Sequence, residues 1–319
     1  IYDTSLSDLS MSLTLRIWRF TDGRPGHEKQ TAALVQGLSE CLSEVAGTDS
    51  AIESRDIALA DYPDGLAPLW RDLGQAPDLV IGAGRRTHLP MARVRWHLGS
   101  RAICVMKSSL PSFCYDLALV PEHDRLLSER KVLRTLGALG PSVSGVPEPE
   151  CGLILLGGKN DHFYWSDDDV AAAVADIVAQ NPQVHWQISD SPRSSKALIP
   201  MLDNVLQGAA NAETVHYLNN DPQWLSQTLS RAGQVWVSAD SASMLYEALS
   251  SAARVGVIDL TSKRAHNKLA LGISALRQQQ RVGTLDAGPL DAQSLNVEPL
   301  REQARCARWI LQQWFKPRD

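Results

Sequence analysis

Short apolar runs alternate with amphipathic segments along most of this chain. Residues 15–20 (LRIWRF) and 78–84 (DLVIGAG) each have the length of one strand, and the second run leads straight into glycine. Between them, apolar residues recur at helical spacing from about 29 to 45, and another helix is predicted from a cap at Thr87 to about Leu98. Further strands are predicted at 51–59, 101–108, 116–121 and 131–139. Strands that alternate with helices indicate βαβ units and a parallel sheet.

The same alternation begins again after a segment of different composition. Residues 140–150 (GPSVSGVPEPE) are rich in proline and glycine and have no helical period, which is typical of a domain boundary. A strand that ends in two glycines follows at 151–158, and Ser166 with the aspartates at 167–169 is predicted to cap a helix. Later strands are predicted at 183–189, 214–218, 234–238 and 255–260, with a helix at 243–252.

We therefore predict an α/β protein of two Rossmann-like, doubly wound domains that face each other across a cleft. The N-terminal domain is placed at 12–146 and the C-terminal domain at 147–298. A flexible extension is expected at 1–11, and a C-terminal helix at 299–319 is expected to pack back across the domains. Ligands of such folds bind outside the carboxyl ends of the strands, so the residues at those ends are the candidates for a site.

Size and composition favour some classes of protein and disfavour others. At 319 residues the chain exceeds the usual size of one core, which agrees with two domains. The net charge of −5 disfavours a nucleic-acid binder, and no apolar run approaches the roughly 20 residues that a membrane-spanning helix needs. The five cysteines form no CxxC pair, so we expect reduced thiols, no zinc site and a cytoplasmic protein.

The first strand is followed by a loop with more polar chemistry than a turn needs, TDGRPGHEKQ (21–30). Gly23 and Gly26 would let the backbone come close to a ligand. His27 is a candidate general base because a neutral imidazole accepts a proton from a hydroxyl, and Asp22 competes for that role. The alternative is a histidine that only makes structural hydrogen bonds.

Other strand ends also carry polar side chains. Arg85 and Arg86, followed by Thr87, would attract an anion if they line a cleft and would be solvated charges if exposed. In the second half, Gly157 and Gly158 are either a phosphate-approaching loop or a tight turn, and the sequence is neither a Walker A loop nor GxGxxG. The stretch at 189–196 (SDSPRSSK) is either a diphosphate clamp or a surface loop.

The last candidate is the segment at 238–247, which leads from a strand into a helix. Hydroxyls at a helix N-terminus can hold an anion, and Glu247, one turn after Ser243, could accept ribose hydroxyls. The alternative is a capping box, which has similar spacing and no ligand. The segment at 303–316 (QARCARWILQQWFK) is either a terminal helix that packs on the protein or an interfacial membrane helix.

Four segments together resemble the bacterial relatives of the plant mitochondrial-fission ELM proteins, a group labelled as predicted nucleoside-diphosphate-sugar enzymes. They are TDGRPGHEKQ (21–30), VIGAGRRTHLP (80–90), LLGGKNDHFYW (155–165) and VSADSASMLYEA (237–248), and the resemblance runs from about residue 15 to 260. The layout is also similar to that of GT-B glycosyltransferases such as the enzyme that adds N-acetylglucosamine to a lipid-linked peptidoglycan precursor. The loop at 189–196 departs from the family pattern of consecutive arginines, because only Arg193 is present.

The resemblance implies a metal-independent GT-B glycosyltransferase that needs no cofactor and uses a nucleotide-diphosphate sugar as co-substrate. It would act on a glycan or glycolipid acceptor in envelope glycolipid or polysaccharide synthesis, with peripheral contact to the inner face of the membrane. His27 or Asp22 would be the base. The expected donor-binding residues are Gly157, Gly158, Lys159, Ser189, Arg193, Ser238, Asp240, Ser241, Ser243 and Glu247. The expected acceptor-binding residues are Gly23, Gly26, Arg85, Arg86 and Thr87.

Two other functions stay open. A nucleoside-diphosphate-sugar epimerase or reductase is disfavoured because GxGxxG and a Tyr-x-x-x-Lys pair are both missing from the chain. A non-enzymatic, fission-type scaffold would have no need for polar groups clustered at strand ends.

Overall fold

A computed structural model describes residues 13–315 except 48, 63–64, 68, 70–73, 123, 125, 127, 222, 266 and 291–294. The extension expected at 1–11 lies outside the described residues. The chain divides into two units: one takes the residues up to Pro141 and those from Arg301 onward, and the other takes Ser142–Leu300. The first unit is therefore discontinuous in sequence, and the second is inserted near its C-terminus.

The described part of the first unit contains one parallel sheet with helices on both faces. Its strands and first two helices are β1 (Thr14–Thr21), α1 (Pro25–Ala46), β2 (Ala51–Ala58), β3 (Leu79–Ala83), α2 (Arg85–Leu98), β4 (Arg101–Val105), β5 (Leu117–Pro121) and β6 (Val132–Thr135). The strand order is β2-β1-β3-β4-β5-β6. Successive side chains of a strand point to opposite faces, so Leu15 and Ile17 join the core under α1 while Trp18 and Phe20 join the core on the other face.

Helices α1 and α2 begin earlier than the sequence pattern predicted. The first begins at Pro25 rather than near residue 29, because proline has the fixed φ of a helix and no N–H that would need a partner in the first turn. The second begins at Arg85, with Gly84 at the N-cap in a positive-φ conformation (φ 83°). The predicted cap at Thr87 is therefore wrong, since Thr87 is the third residue of α2.

The second unit repeats the plan with a different strand order. Its elements are β7 (Glu148–Leu155), α3 (Asp167–Gln180), β8 (His185–Ser189), α4 (Leu198–Val205), β9 (Ala212–Val215), α5 (Trp224–Arg231), β10 (Ala232–Ser238), α6 (Ala242–Leu249), β11 (Arg254–Ile258), α7 (Lys268–Gln278) and β12 (Gly283–Thr284). The order is β12-β11-β10-β7-β8-β9, all parallel. Ser166 caps α3 by accepting the N–H of Asp169 at 3.2 Å, so the predicted role of the aspartate run at a helix start is confirmed.

The last helix, α8 (Glu302–Trp314), packs on α1 of the first unit. Cys306, Ala307, Ile310 and Leu311 are fully buried in the same core as Leu34. No helix in the described part of the chain is long and apolar enough to cross a membrane. The five cysteines are all free thiols.

The prediction of a doubly wound α/β fold is confirmed. The strand orders also show where each sheet has a switch point. In the first sheet the chain reverses its direction of winding between β1 and β3, and in the second between β7 and β10. At such a switch point the loops leave in opposite directions and open a crevice at the carboxyl ends of the strands. Asp22 and Gly84 follow the first pair of strands, and Gly157 and Asp240 follow the second.

Candidate functional site

At the switch point of the second sheet, hydrogen bonds tie the loop after β7 to the loop after β10. The N–H of Gly157 donates to Ser238 Oγ at 2.8 Å, and the N–H of Gly158 donates to Asp240 Oδ2 at 3.0 Å. Ser238 Oγ in turn donates to Asp240 Oδ1 at 2.6 Å. The two glycine amides are thus already engaged by side chains, so in this conformation they do not act as donors to a phosphate.

Both glycines are needed because other atoms approach the backbone too closely for a side chain. A Cβ at Gly157 would overlap the carboxylate of Asp240, and one at Gly158 would overlap the backbone carbonyl of Arg193. Neither glycine has a positive φ. Their requirement comes from close packing of three loops rather than from a left-handed turn conformation.

The carboxylate of Asp240 is fully buried and is paired with Arg193. The distance from Arg193 Nη1 to Asp240 Oδ2 is 2.7 Å, and the same nitrogen lies 3.3 Å from the carbonyl oxygen of Gly158. A buried carboxylate without a cation would be costly, so this pair is part of what holds the loops together. The Arg193 side chain remains 39% exposed, and a guanidinium has five N–H donors, so it can also contact an anion from solvent.

The loop after β8 closes the cluster with the hydroxyl groups of Ser191 and Ser194, which lie in the predicted clamp at 189–196 but were not named as donor-binding residues. Ser191 Oγ donates to the carbonyl oxygen of Gly157 at 2.7 Å, and Ser194 Oγ donates to the same oxygen. Ser189 is buried, and its Oγ accepts from Asn220 Nδ2 at 3.1 Å. The serine-rich stretch at 189–196 is the only signal in the sequence for Ser191 and Ser194. The hydrogen-bond partners that distinguish them from serines of a surface loop are seen only in the structure.

The start of α6 lies directly after this cluster. Ser241 is the N-cap and is buried, and its side chain makes no capping hydrogen bond with the described residues. A capping box would need an acid at Met244, the third helical residue, so that interpretation of Ser243 and Glu247 is wrong. Ser243 is exposed while Glu247 is 8% exposed, and the two lie on one face of the helix.

Lys159 and Asn160, the two residues after the glycine pair, differ in their exposure and hydrogen bonding. Lys159 is exposed. Asn160, which the sequence did not single out, donates from Nδ2 to the carbonyl oxygen of Asp240 at 3.4 Å and accepts the N–H groups of His162 and Phe163 on Oδ1. Asn160 therefore fixes the shape of the loop that follows β7.

At the switch point of the first sheet, Asp22 and His27 form a hydrogen-bonded pair. His27 Nδ1 lies 3.0 Å from Asp22 Oδ2 and 3.2 Å from Oδ1. The Asp22 side chain is 1% exposed and that of His27 is 18% exposed. Gly84 makes room for the pair, because a Cβ there would overlap the His27 ring.

This arrangement defines the chemistry of the imidazole. A carboxylate is only an acceptor, so His27 donates Nδ1–H to Asp22 and carries its lone pair on Nε2 when neutral. A carboxylate that holds a neutral histidine in this tautomer also stabilises the imidazolium that forms when Nε2 takes a proton. Asp22 is thereby suited to orient the base, and His27 to act as the base.

The remaining candidates of the first unit lie between the end of β1 and the first turn of α1, and at the start of α2. Gly23 adopts a positive φ of 81°, and its N–H donates to Glu28 Oε1 at 3.0 Å. Gly26 lies in the first turn of α1, where a Cβ would meet open space. Arg85 and Arg86 are exposed in the first turn of α2. Thr87 is fully buried, and its hydroxyl donates to the carbonyl oxygen of Gly84 at 2.9 Å.

One residue that the sequence did not single out lies beside these groups. His88 is 3% exposed, and its Nδ1 accepts the N–H of Ser109 at 3.1 Å and lies 2.9 Å from Ser109 Oγ. Burial, and then the charge of His27, lower the pKa of His88 to about 4. His88 is therefore neutral at pH 7. No spacing rule points to it, since its burial depends on the tertiary fold.

A cavity of about 490 Å³ lies elsewhere in the second unit, lined by residues such as Cys151, His185 and Trp224. It is at the amino half of the strands, where His185 and Ala232 begin β8 and β10. Parallel sheets bind ligands at the opposite end. Despite its size, we therefore do not assign the functional site to this cavity.

Comparisons with known proteins agree with the fold. The sequence profile of the family described as mitochondrial fission ELM1 matches residues 25–314. A search of curated proteins finds no match.

Solved structures share the fold at low sequence identity. A putative UDP-N-acetylglucosamine 2-epimerase from Listeria monocytogenes is 12% identical, with 94% of this chain and 88% of that chain covered and a TM-score of 0.52. The UDP-GlcNAc 2-epimerase from Neisseria meningitidis, bound to UDP-GlcNAc, is 10% identical, with 96% and 100% covered and a TM-score of 0.52. A heptosyltransferase from E. coli with ADP is 10% identical, with 76% and 87% covered and a TM-score of 0.46. At these identities the two epimerase structures establish a shared fold and nothing about the reaction.

Proposed function

The chain belongs to the mitochondrial fission ELM1 family, and we propose that it is a metal-independent glycosyltransferase that uses a nucleotide-diphosphate sugar. The second unit would bind the donor, and the first would bind a glycan or glycolipid acceptor and supply the base. Envelope glycolipid or polysaccharide synthesis at the inner face of a membrane is the setting that we propose for it.

The observation that carries this proposal is the polar cluster at the switch point of the second sheet. A helix N-terminus there presents unpaired N–H groups, and its N-cap hydroxyl, Ser241, is not used for capping. Glu247 is held in a largely buried position on the same helix, where its carboxylate can accept two ribose hydroxyls. Both features favour a nucleotide diphosphate over a simple anion.

Arg193 is the cation that we assign to the leaving diphosphate. Its contact with Asp240 fixes the guanidinium at the loop after β7, and its exposed side can face the phosphates. Charge that develops on the leaving oxygen would be stabilised by a cation and helix N–H groups that are already in place, without reorganisation. Gly157 and Gly158 then act indirectly, because they allow the three loops to pack closely.

A nucleotide-sugar epimerase is the second candidate, because two structures of such epimerases share this fold, and a shared fold does not decide between the two reactions. A non-enzymatic scaffold is the third. It is disfavoured because Asp22 and Asp240 have fully buried carboxylates with defined partners at the switch points of both sheets, and a surface used only for docking does not need them.

A calorimetric titration with UDP, GDP, CDP and ADP tests the donor site. We expect one of them to bind with a Kd of millimolar or tighter, and Glu247→Ala to weaken it by about 10- to 100-fold through loss of charge-assisted hydrogen bonds. Glu213→Ala is the matched control, since Glu213 is an exposed acid on β9 of the same unit. Absence of binding by all four compounds, or equal binding by the Glu247 variant, would contradict the proposal.

The products of a nucleotide sugar incubated with the protein separate the first two candidates. A transferase moves the sugar to the acceptor, or slowly to water, and releases the nucleoside diphosphate. An epimerase that returns an intact nucleotide sugar with an altered sugar, seen by proton NMR, would replace our assignment.

A further inference from the structure

The His27 and His88 side chains lie on the same side of the start of α2. The His27 ring covers Gly84, which is the N-cap of this helix. His88 follows Gly84 by four residues, which is one helical turn, and helical side chains lean back toward the N-terminus. The charge of His27 also contributes to the lowered pKa of His88, as expected for two rings on one side of the helix start.

The partners of the two rings hold them in opposite tautomers. His27 donates Nδ1–H to Asp22, so its Nε2 carries a lone pair. His88 accepts the N–H of Ser109 on Nδ1, so its Nε2 carries the hydrogen. The positive φ of Met106 (70°), at the end of β4, precedes the loop that brings Ser109 to this position.

The Nε2–H of His88 is buried, and no described residue accepts a hydrogen bond from it. Buried donors in native proteins nearly always have a partner, so one without a partner calls for an explanation.

We propose that His88 is a second catalytic residue of the first unit, whose Nε2–H binds the same acceptor hydroxyl that His27 deprotonates. This inference rests on the proposed function. The hydroxyl would donate its hydrogen to His27 Nε2 and accept a hydrogen bond from His88 Nε2 on one lone pair. Its other lone pair is then the only one free to attack, so the two histidines fix the orientation of the nucleophile.

The acceptor oxygen forms a bond to the anomeric carbon of the donor sugar, and the bond from that carbon to the phosphate oxygen breaks. The electron pair leaves with the nucleoside diphosphate, and the hydroxyl proton passes to His27. With water as the acceptor, the products are the free sugar and the nucleoside diphosphate.

Two amide substitutions of His88 distinguish a catalytic role from a structural one. The amide of His88→Asn ends near the position of Nδ1, so it keeps an acceptor for Ser109 and removes the Nε2 donor. The longer His88→Gln places an N–H near Nε2 and gives up the Ser109 contact. His97→Asn, an exposed histidine on the same helix, is the matched control.

The experiment measures release of nucleoside diphosphate from UDP-N-acetylglucosamine, GDP-mannose and ADP-glucose, with water as the acceptor. We expect His88→Asn to lower the rate by about 10- to 100-fold and His88→Gln to retain more activity than Asn, with binding of the nucleotide diphosphate unchanged in both. Nitrogen NMR of the labelled histidines should show opposite tautomers for His27 and His88.

Each other outcome counts against a defined part of the account. If Asn is as active as wild type, or if Gln is the more damaged variant, His88 has only a structural role. A hydrogen on His88 Nδ1 would overturn the inference directly. If the wild type binds and turns over none of the three sugars, the proposed function fails and this inference fails with it, whereas normal binding with an unaffected Asn variant removes His88 alone.

Discussion

At the scale of single residues, His88 shows how burial sets a protonation state. The pKa of His88 is lowered to about 4 by desolvation, because its ring has lost the water that would stabilise the charged form. The unfolded chain has the ordinary histidine pKa of about 6.5. Between those two values the unfolded state binds the proton and the folded state does not, so folding becomes less favourable as the pH falls through this window.

This difference predicts the acid dependence of stability. The contribution of His88 is fully present above about pH 6.5 and is lost as the pH falls to 4, by roughly 3 kcal/mol in the free energy of unfolding. His88→Asn should remove that part of the pH dependence, as measured by urea unfolding at pH 7 and pH 4. His97→Asn should keep it. Parallel curves for wild type and His88→Asn would show that His88 is not the group responsible.

The residue types at the two sites could be predicted only in part. Asp22, His27, Gly157 and Asp240 follow recognisable strands, so the sequence indicated where they would lie. His88 could not be found in the same way, since its tautomer depends on Ser109, a residue 21 positions away.

At the scale of elements, the buried strands were predictable because their apolar runs are short and uniform, whereas the starts of α1 and α2 were not. A proline and a glycine decide where α1 and α2 begin, and the apolar period of a helix says little about its first turn. The sequence also did not show that α8 packs on α1, because this contact joins residues more than 250 positions apart.

That contact gives a prediction about one glycine. A Cβ at Gly37 of α1 would lie 2.6 Å from the backbone oxygen of Gln303 in α8, and neither backbone can move without disturbing the core. We expect Gly37→Ala to lower the free energy of unfolding by about 1–3 kcal/mol in urea. Gly26→Ala on the same helix meets open space and should leave stability unchanged or raise it by up to about 1 kcal/mol. Equal stabilities of the two variants would mean that α1 and α8 do not pack closely.

At the scale of the whole molecule, two α/β units were evident from the repeated alternation of strands and helices. The strand orders were not, because pairing between strands distant in sequence leaves no local pattern. The discontinuity of the first unit was missed for the same reason. It is the strand order that explains why the polar loops cluster, since each cluster lies at a switch point.

The central claim is that the cluster after β7, β8 and β10 binds the diphosphate of a nucleotide sugar. Amide hydrogen exchange, followed by mass spectrometry with and without the nucleoside diphosphate that binds best, measures this directly. We predict slower exchange on binding in peptides that cover 238–247, because the ligand would accept hydrogen bonds from the first N–H groups of α6. Unchanged exchange in 238–247 at saturating nucleotide, with protection elsewhere in the chain, would contradict the account.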